Sequence, residues 1–210
     1  MMKRIFFALL TVLTLTACNN APVFHGMTDQ QKESYGKAVA GVYKGTYIIV
    51  YNDGSTDDKV YKIEDSQLTV TDYTMHTVLF HDYPVSMLSK VVTDPELAKA
   101  LAEAPNVDFV ADYHFYEWQD NGDINWGFNM TAIPLTLHYS GADHHLLLKL
   151  RSAVYFHLTK SELDAGTPFV NQRIIQFEIE GIYEGESLVQ SLDAWWTNDN
   201  DFITYFQLAE

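Results

Sequence analysis

A period of two running from Val107 to Leu158 constrains this chain more than any other feature, because alternate residues of an extended strand point to opposite faces of a sheet. From Val107 to Trp118, one face holds Val107, Phe109, Ala111, Tyr113 and Phe115. The other mixes Asp108, Asp112 and His114 with Val110, Tyr116 and Trp118. Asn121-Gly122 is a strong hairpin signal, since both residues accept the positive φ of a tight turn. After it, Ile124, Trp126, Phe128 and Met130 share a face, and beyond Thr131 the apolar set moves to Ile133, Leu135 and Leu137. One extra residue reverses which face points inward, so a bulge or bend near Ala132 and Pro134 is expected, with the strand turning a corner there. Ser140 to Asp143 reads as the next turn. The following strand places Leu146, Leu148, Leu150, Val154, Phe156 and Leu158 inward against Lys149 and Arg151 outward. Later, Ile175, Phe177 and Ile179 oppose Gln176, Glu178 and Glu180, and Phe202 to Leu208 forms a closing strand.

Upstream of this region the pattern is mixed. Thr28-Asp29-Gln30-Gln31 has the form of a capping box, which predicts a helix to about Ala40 with Tyr35, Ala38, Val39 and Val42 at helical spacing and Gly41 as its stop. Val42 to Tyr51 then alternates, Asn52 to Ser55 supplies turn chemistry, and Lys59–Glu64, Gln67–Thr71 and Met75–His81 read as short strands. Two short helices are expected around 84–104: one from Pro84, and one from Asp94-Pro95 to Ala104 with Leu97, Ala100, Leu101 and Ala104 on one face. Many strands with hairpin turns and no regular β-helix-β alternation predict a mainly β domain. It is an antiparallel barrel, or alternatively a β-sandwich, with an N-terminal helix and one or two helices inserted.

The start of the chain is of a different kind. Lys3 and Arg4 precede an apolar run, Ile5 to Leu15, that ends at Thr16-Ala17-Cys18. This is the order of an export signal, and the run is short of the roughly 20 residues that span a bilayer. Leu15-Thr16-Ala17-Cys18 resembles the lipobox of bacterial lipoproteins, which implies cleavage after residue 17 and a lipid on Cys18, palmitate included. Residues 1–17 are then a signal peptide, 18–27 a tether and 28–210 one β-rich domain. Cys18 is the only cysteine, so no disulfide framework supports the domain. Asn19 is not the aspartate that by resemblance retains lipoproteins in the inner membrane, which implies transfer to the outer membrane; periplasmic and surface orientation both stay open.

Ala40-Gly41-Val42-Tyr43-Lys44-Gly45-Thr46 resembles the G-x-Y-x-G opening of calycin-like and lipocalin-like lipoproteins of Bacteroidota, many of them of unknown function. That resemblance implies a cup-shaped barrel and carries no catalytic residues with it.

The formal charge of -15 becomes about -17 once Lys3 and Arg4 are removed, which excludes nucleic acid as a partner, because binding there depends on basic side chains. The eight histidines form no H-E-x-x-H, the chain has no C-x-x-C, and His144 and His145 point to opposite faces of one strand, so no metal ligand or cofactor is assigned. No serine lies in G-x-S-x-G, and no catalytic residue is assigned. Glu178 and Glu180 share a face at about 6–7 Å, a spacing compatible with glycoside hydrolysis. The wet side of any strand produces the same pattern. The acidic stretches 52–58 and 198–201 lack calcium-loop spacing. Aromatic residues make up 14% of the chain, and rings can line apolar cups or stack on sugars. Of adjacent Trp195 and Trp196, strand parity turns one inward and one outward, and the outward ring is the preferred contact. The expected function is a non-enzymatic envelope lipoprotein that binds a small hydrophobic or carbohydrate ligand. A scaffold or protein-interaction lipoprotein, and a carboxylate-dependent hydrolase, are the alternatives.

Overall fold

A computed structural model describes residues 27–52, 57–118, 123–151, 156–168, 173–192 and 202–209. Helix α1 (Asp29–Val39) starts on the capping box that the sequence predicts: Thr28 Oγ1 accepts from the Gln31 amide, and Gln31 Oε1 accepts from Thr28 N–H at 2.8 Å. It ends at Ala40, and the chain passes directly into β1 (Gly41–Tyr51). Strand β2 (Lys59–Val70) is continuous where the sequence suggests two short strands. The break is a bulge: Gly45 pairs with Ser66 but Tyr47 pairs with Ile63, Asp65 takes φ 57°, and Ser66 Oγ donates to the Ile63 carbonyl across the kink. Next come β3 (Thr77–Tyr83), a 3-10 helix (Val85–Lys90) and α2 (Pro95–Ala102).

Strands β4 (Val107–Trp118), β5 (Asp123–Met130), β6 (Ile133–Tyr139) and β7 (Ala142–Arg151) follow the alternation read from the sequence. The parity change at Thr131-Ala132 marks the end of β5 and the start of β6. The segment 146–158 is not one strand. It divides into β7 and β8 (Phe156–Leu158), which pair with β9 and β5 respectively. Helix α3 (Lys160–Asp164) then begins on a second capping box, Thr159 with Glu162. The hairpin β9 (Ile174–Glu184) and β10 (Ser187–Ser191) turns through Gly185 at φ 59°, and β11 (Phe202–Leu208) comes last.

All strands pair antiparallel in one eleven-stranded sheet of order β6-β7-β9-β11-β1-β2-β3-β4-β5-β8, with β10 also on β9. The sheet curls as a half-barrel, so its concave side forms the core and the sandwich alternative falls away. Phe80 and Phe109 stack at 4.7 Å, and Phe177 meets them edge-on at 5.5 and 5.4 Å. Tyr47 lies 5.0 Å from Phe206 and 5.6 Å from Tyr83. The rings that the resemblance would set around a cup are therefore packed on one another. The phenol of Tyr83 donates to or accepts from Thr204 Oγ1 at 3.0 Å, which satisfies two buried polar groups, and burial still pushes that phenol up from its ordinary pKa.

Helices cover the core toward both ends of β4. At its start, Phe109 touches Tyr83, which leads into the 3-10 helix and α2; Leu88, Leu97 and Leu101 are buried there. At its far end, Phe115 meets Tyr35 of α1. The Asp94 carboxylate caps α2, accepting from the Glu96 and Leu97 amides at 2.9 Å each. Asp94→Ala should cost about 0.5–2 kcal/mol, the usual worth of such a cap, as a lower urea midpoint with an unchanged slope. Gly45, from the G-x-Y-x-G segment, is fixed by packing: a Cβ there would sit 2.4 Å from the Gln207 carbonyl oxygen and 2.5 Å from the Phe206 ring.

Candidate functional site

Because the concave side is occupied by core, chemistry available to a partner lies on the convex face. Strand β4 sends Asp108, Val110, Asp112, His114 and Tyr116 to that face, since Phe109, Ala111, Tyr113 and Phe115 point inward.

Toward the far end of β4, His114 pairs in register with Gly127 of β5. The glycine leaves the backbone bare, and the rings of His114 and Tyr116 lie across it, stacked with centroids 5.6 Å apart and planes at 25°. A Cβ at position 127 would approach His114 Nε2 to 2.6 Å and Tyr116 Cε1 to 3.2 Å, so any other residue would lift both rings off the sheet. Burial against the sheet lowers the pKa of His114, because it penalises the imidazolium, so the ring is neutral at neutral pH. Next in register, exposed Asp112 pairs with exposed Asn129. The result is a flat neutral aromatic surface with a carboxylate and an amide beside it. Surfaces of that composition can stack on the C–H face of a sugar and hydrogen-bond its hydroxyls.

The residues singled out in the sequence are distributed differently. Cys18, Trp195 and Trp196 lie outside the described residues, as do most of the acidic stretch 52–58, the stretch 198–201 and the Asn121-Gly122 turn. Glu178 accepts from Gln176 Nε2 at 3.3 Å and Glu180 from the Tyr183 phenol at 3.0 Å, so each carboxylate is engaged by a neighbour on its own strand. The histidines are spread: His138 faces Asp143 at 2.7 Å, His144 faces Glu184 at 3.1 Å and stacks on Tyr139, and His145 faces Thr136. Among the described residues, no three histidine, cysteine or acidic side chains converge on a metal position. An open depression of about 250 Å³ separates α2 from the β6–β7 turn and is lined by Glu96, Lys99, Glu103, His138 and Tyr139.

The ring platform was not found by sequence reasoning. Alternation places His114 and Tyr116 outward, but only the β4–β5 register puts a glycine beneath them. A two-residue turn at Asn121-Gly122 would set His114 opposite Asn129; the observed register pairs Trp118 with Asp123 and brings Gly127 there instead, so no local signal gives the platform.

Among the described residues, no helix is long and apolar enough to cross a membrane. Residues 38–177 match the model of a family described as domain of unknown function (DUF4840). Residues 2–19 match that of the prokaryotic membrane lipoprotein lipid attachment site. No curated protein and no solved structure matches the chain.

Proposed function

We infer, for a chain that belongs to the family described as domain of unknown function (DUF4840) and carries a lipoprotein lipid attachment site, that it is a lipid-anchored envelope protein which binds glycan on its convex face. The observation that carries the reading is the His114–Tyr116 platform over Gly127, with Asp112 and Asn129 beside it. An anchored protein in the envelope is held close to polysaccharide, and a flat ring surface suits an extended chain better than a small enclosed ligand. The anchor is Cys18, acylated with palmitate among its chains. Asn19 directs the protein to the outer membrane, and Trp195 and Trp196 contribute one further outward ring. The calycin-like, Bacteroidota affiliation rests on the Gly41-x-Tyr43-x-Gly45 opening and the curled antiparallel sheet.

The test is sedimentation of the purified lipoprotein with insoluble envelope glycan, peptidoglycan sacculi first, alongside His114→Ala and Tyr116→Ala. Each ring removed should weaken retention roughly tenfold, since an aromatic stacking contact is worth about 0.5–1.5 kcal/mol beyond its area, while the melting temperature changes little. Retention of both variants equal to that of wild type would sink the platform. Trp195→Ala and Trp196→Ala complete the set: one should lower the melting temperature and the other should weaken retention only.

A further inference from the structure

At the opposite end of the same convex face, a bulge brings three side chains from three strands into line. Phe80 pairs with Phe109 but Tyr83 pairs with Val107, so His81 and Asp82 together oppose Asp108. Asp82 takes φ 52°, and the Asp108 carboxylate holds the kink: Oδ1 accepts from the Asp82 amide at 2.9 Å, and Oδ2 faces His81 Nδ1 at 3.3 Å. The other ring nitrogen, Nε2, lies 3.0 Å from Thr69 Oγ1 on β2. The His81 carbonyl is fixed in turn by the buried Tyr47 phenol at 2.8 Å. We propose that Thr69, His81 and Asp108 form a hydroxyl–imidazole–carboxylate relay that hydrolyses carboxylic esters, with Thr69 as the nucleophile.

The order of the contacts is what this chemistry requires. A carboxylate at Nδ1 selects the tautomer with a proton there and leaves Nε2 free to accept from the hydroxyl. Access is open, with 23% of the His81 side chain and 52% of Asp108 exposed to solvent. The surroundings suggest the substrate class. Val42, Thr69, Leu79 and Val110 are consecutive cross-strand partners over four strands, so the hydroxyl sits within an apolar row whose Val42 and Val110 are 62% and 37% exposed. An acyl chain can lie along it. In the adjoining row Lys44 pairs with Gln67, the one diagonal to Thr69 and the other to Leu79 at about 7–8 Å, within reach of long side chains. Their ammonium and amide are the donors available to a developing oxyanion.

Thr69 Oγ attacks the ester carbonyl carbon as His81 Nε2 takes its proton. The tetrahedral adduct collapses, the C–O bond to the alcohol breaks, and the alcohol leaves with that proton. Water then attacks the threonyl ester, giving a proton to His81, which returns it to Thr69 Oγ as the carboxylic acid departs. No electrons are exchanged with any other group. This activity is independent of glycan retention, so either can fail alone.

The experiment uses the full-length lipidated protein in detergent with p-nitrophenyl butyrate. Nitrophenolate release above the buffer rate is expected, with a butyryl adduct on Thr69 detected by peptide mass spectrometry after rapid acid quench. Thr69→Val and His81→Gln should each lose about 100-fold or more, the usual scale of acid–base catalysis, while Thr69→Ser remains active. Wild-type turnover no faster than buffer overturns the proposal, and so does a Thr69→Val protein that equals wild type. Should Thr69→Val not fold, the adduct decides: turnover with no acyl group on Thr69 overturns it equally.

Discussion

Phe177→Ala is expected to remove about 3–5 kcal/mol of folding stability, the range for a large ring truncated inside a packed core. The ring is fully buried and lies within 5.5 Å, centroid to centroid, of Phe80, Phe109 and Tyr83. Phe177 stands on β9 and these rings on β3 and β4, on either side of the curl, so the void left by alanine faces several strands and cannot be closed by moving one. Domains are stable by only about 5–15 kcal/mol in total, so the loss is a large fraction. It corresponds to a melting temperature lower by roughly 6–20 °C for a chain of this size. Val110→Ala, on the convex face, should change stability by less than 1 kcal/mol, the ordinary scale for surface substitutions. A Phe177→Ala protein within 1 kcal/mol of wild type would mean that the concave side is not a closed core.

The second large effect concerns attachment. Cys18→Ala should abolish incorporation of labelled palmitate and move the protein from the membrane fraction to the soluble one. Each buried CH₂ of an acyl chain contributes about 0.8 kcal/mol to membrane affinity, and among the described residues no helix is long and apolar enough to cross a membrane. At a formal count of -15 the chain is acidic and is repelled by anionic lipid. Retention of Cys18→Ala on membranes after a salt wash would show that the domain itself holds the membrane.

What could be read from the sequence was what depends on neighbours along the chain. Phe109, Ala111, Tyr113 and Phe115 declare a strand and its buried side, and Thr28 with Gln31 declares a helix start. Thr159 and Glu162 form the same box but declare no helix by themselves, because only five helical residues follow and no apolar periodicity can build up. Partners are another matter. Leu146 to Leu158 keeps one parity throughout, yet β7 joins β9 and β8 joins β5, and periodicity carries no information about pairing. Strand β10 is exposed or half-exposed along its length, so it has no alternation to read. The sites fail for the same reason: Thr69 and Asp108 stand 12 and 27 positions from His81, and no local motif joins residues that only register and a bulge bring together.

The place of β11 sets a timetable. In the sheet it lies between β9 and β1, where Ile203 pairs with Glu178 on one side and Val50 on the other. Two blocks, β6-β7-β9 and β1 through β5, are therefore joined in backbone pairing only through residues that are synthesised after both. Until those residues emerge, Phe206 is missing from its place against Tyr47 and Phe80 and the core stays open, and such distant pairings form slowly. A polypeptide crossing a membrane as an extended thread gains from this delay, because it stays threadable while its leader is recognised. With Cys18 acylated as proposed, acylation would then precede folding, and the finished domain would assemble already tied to its bilayer.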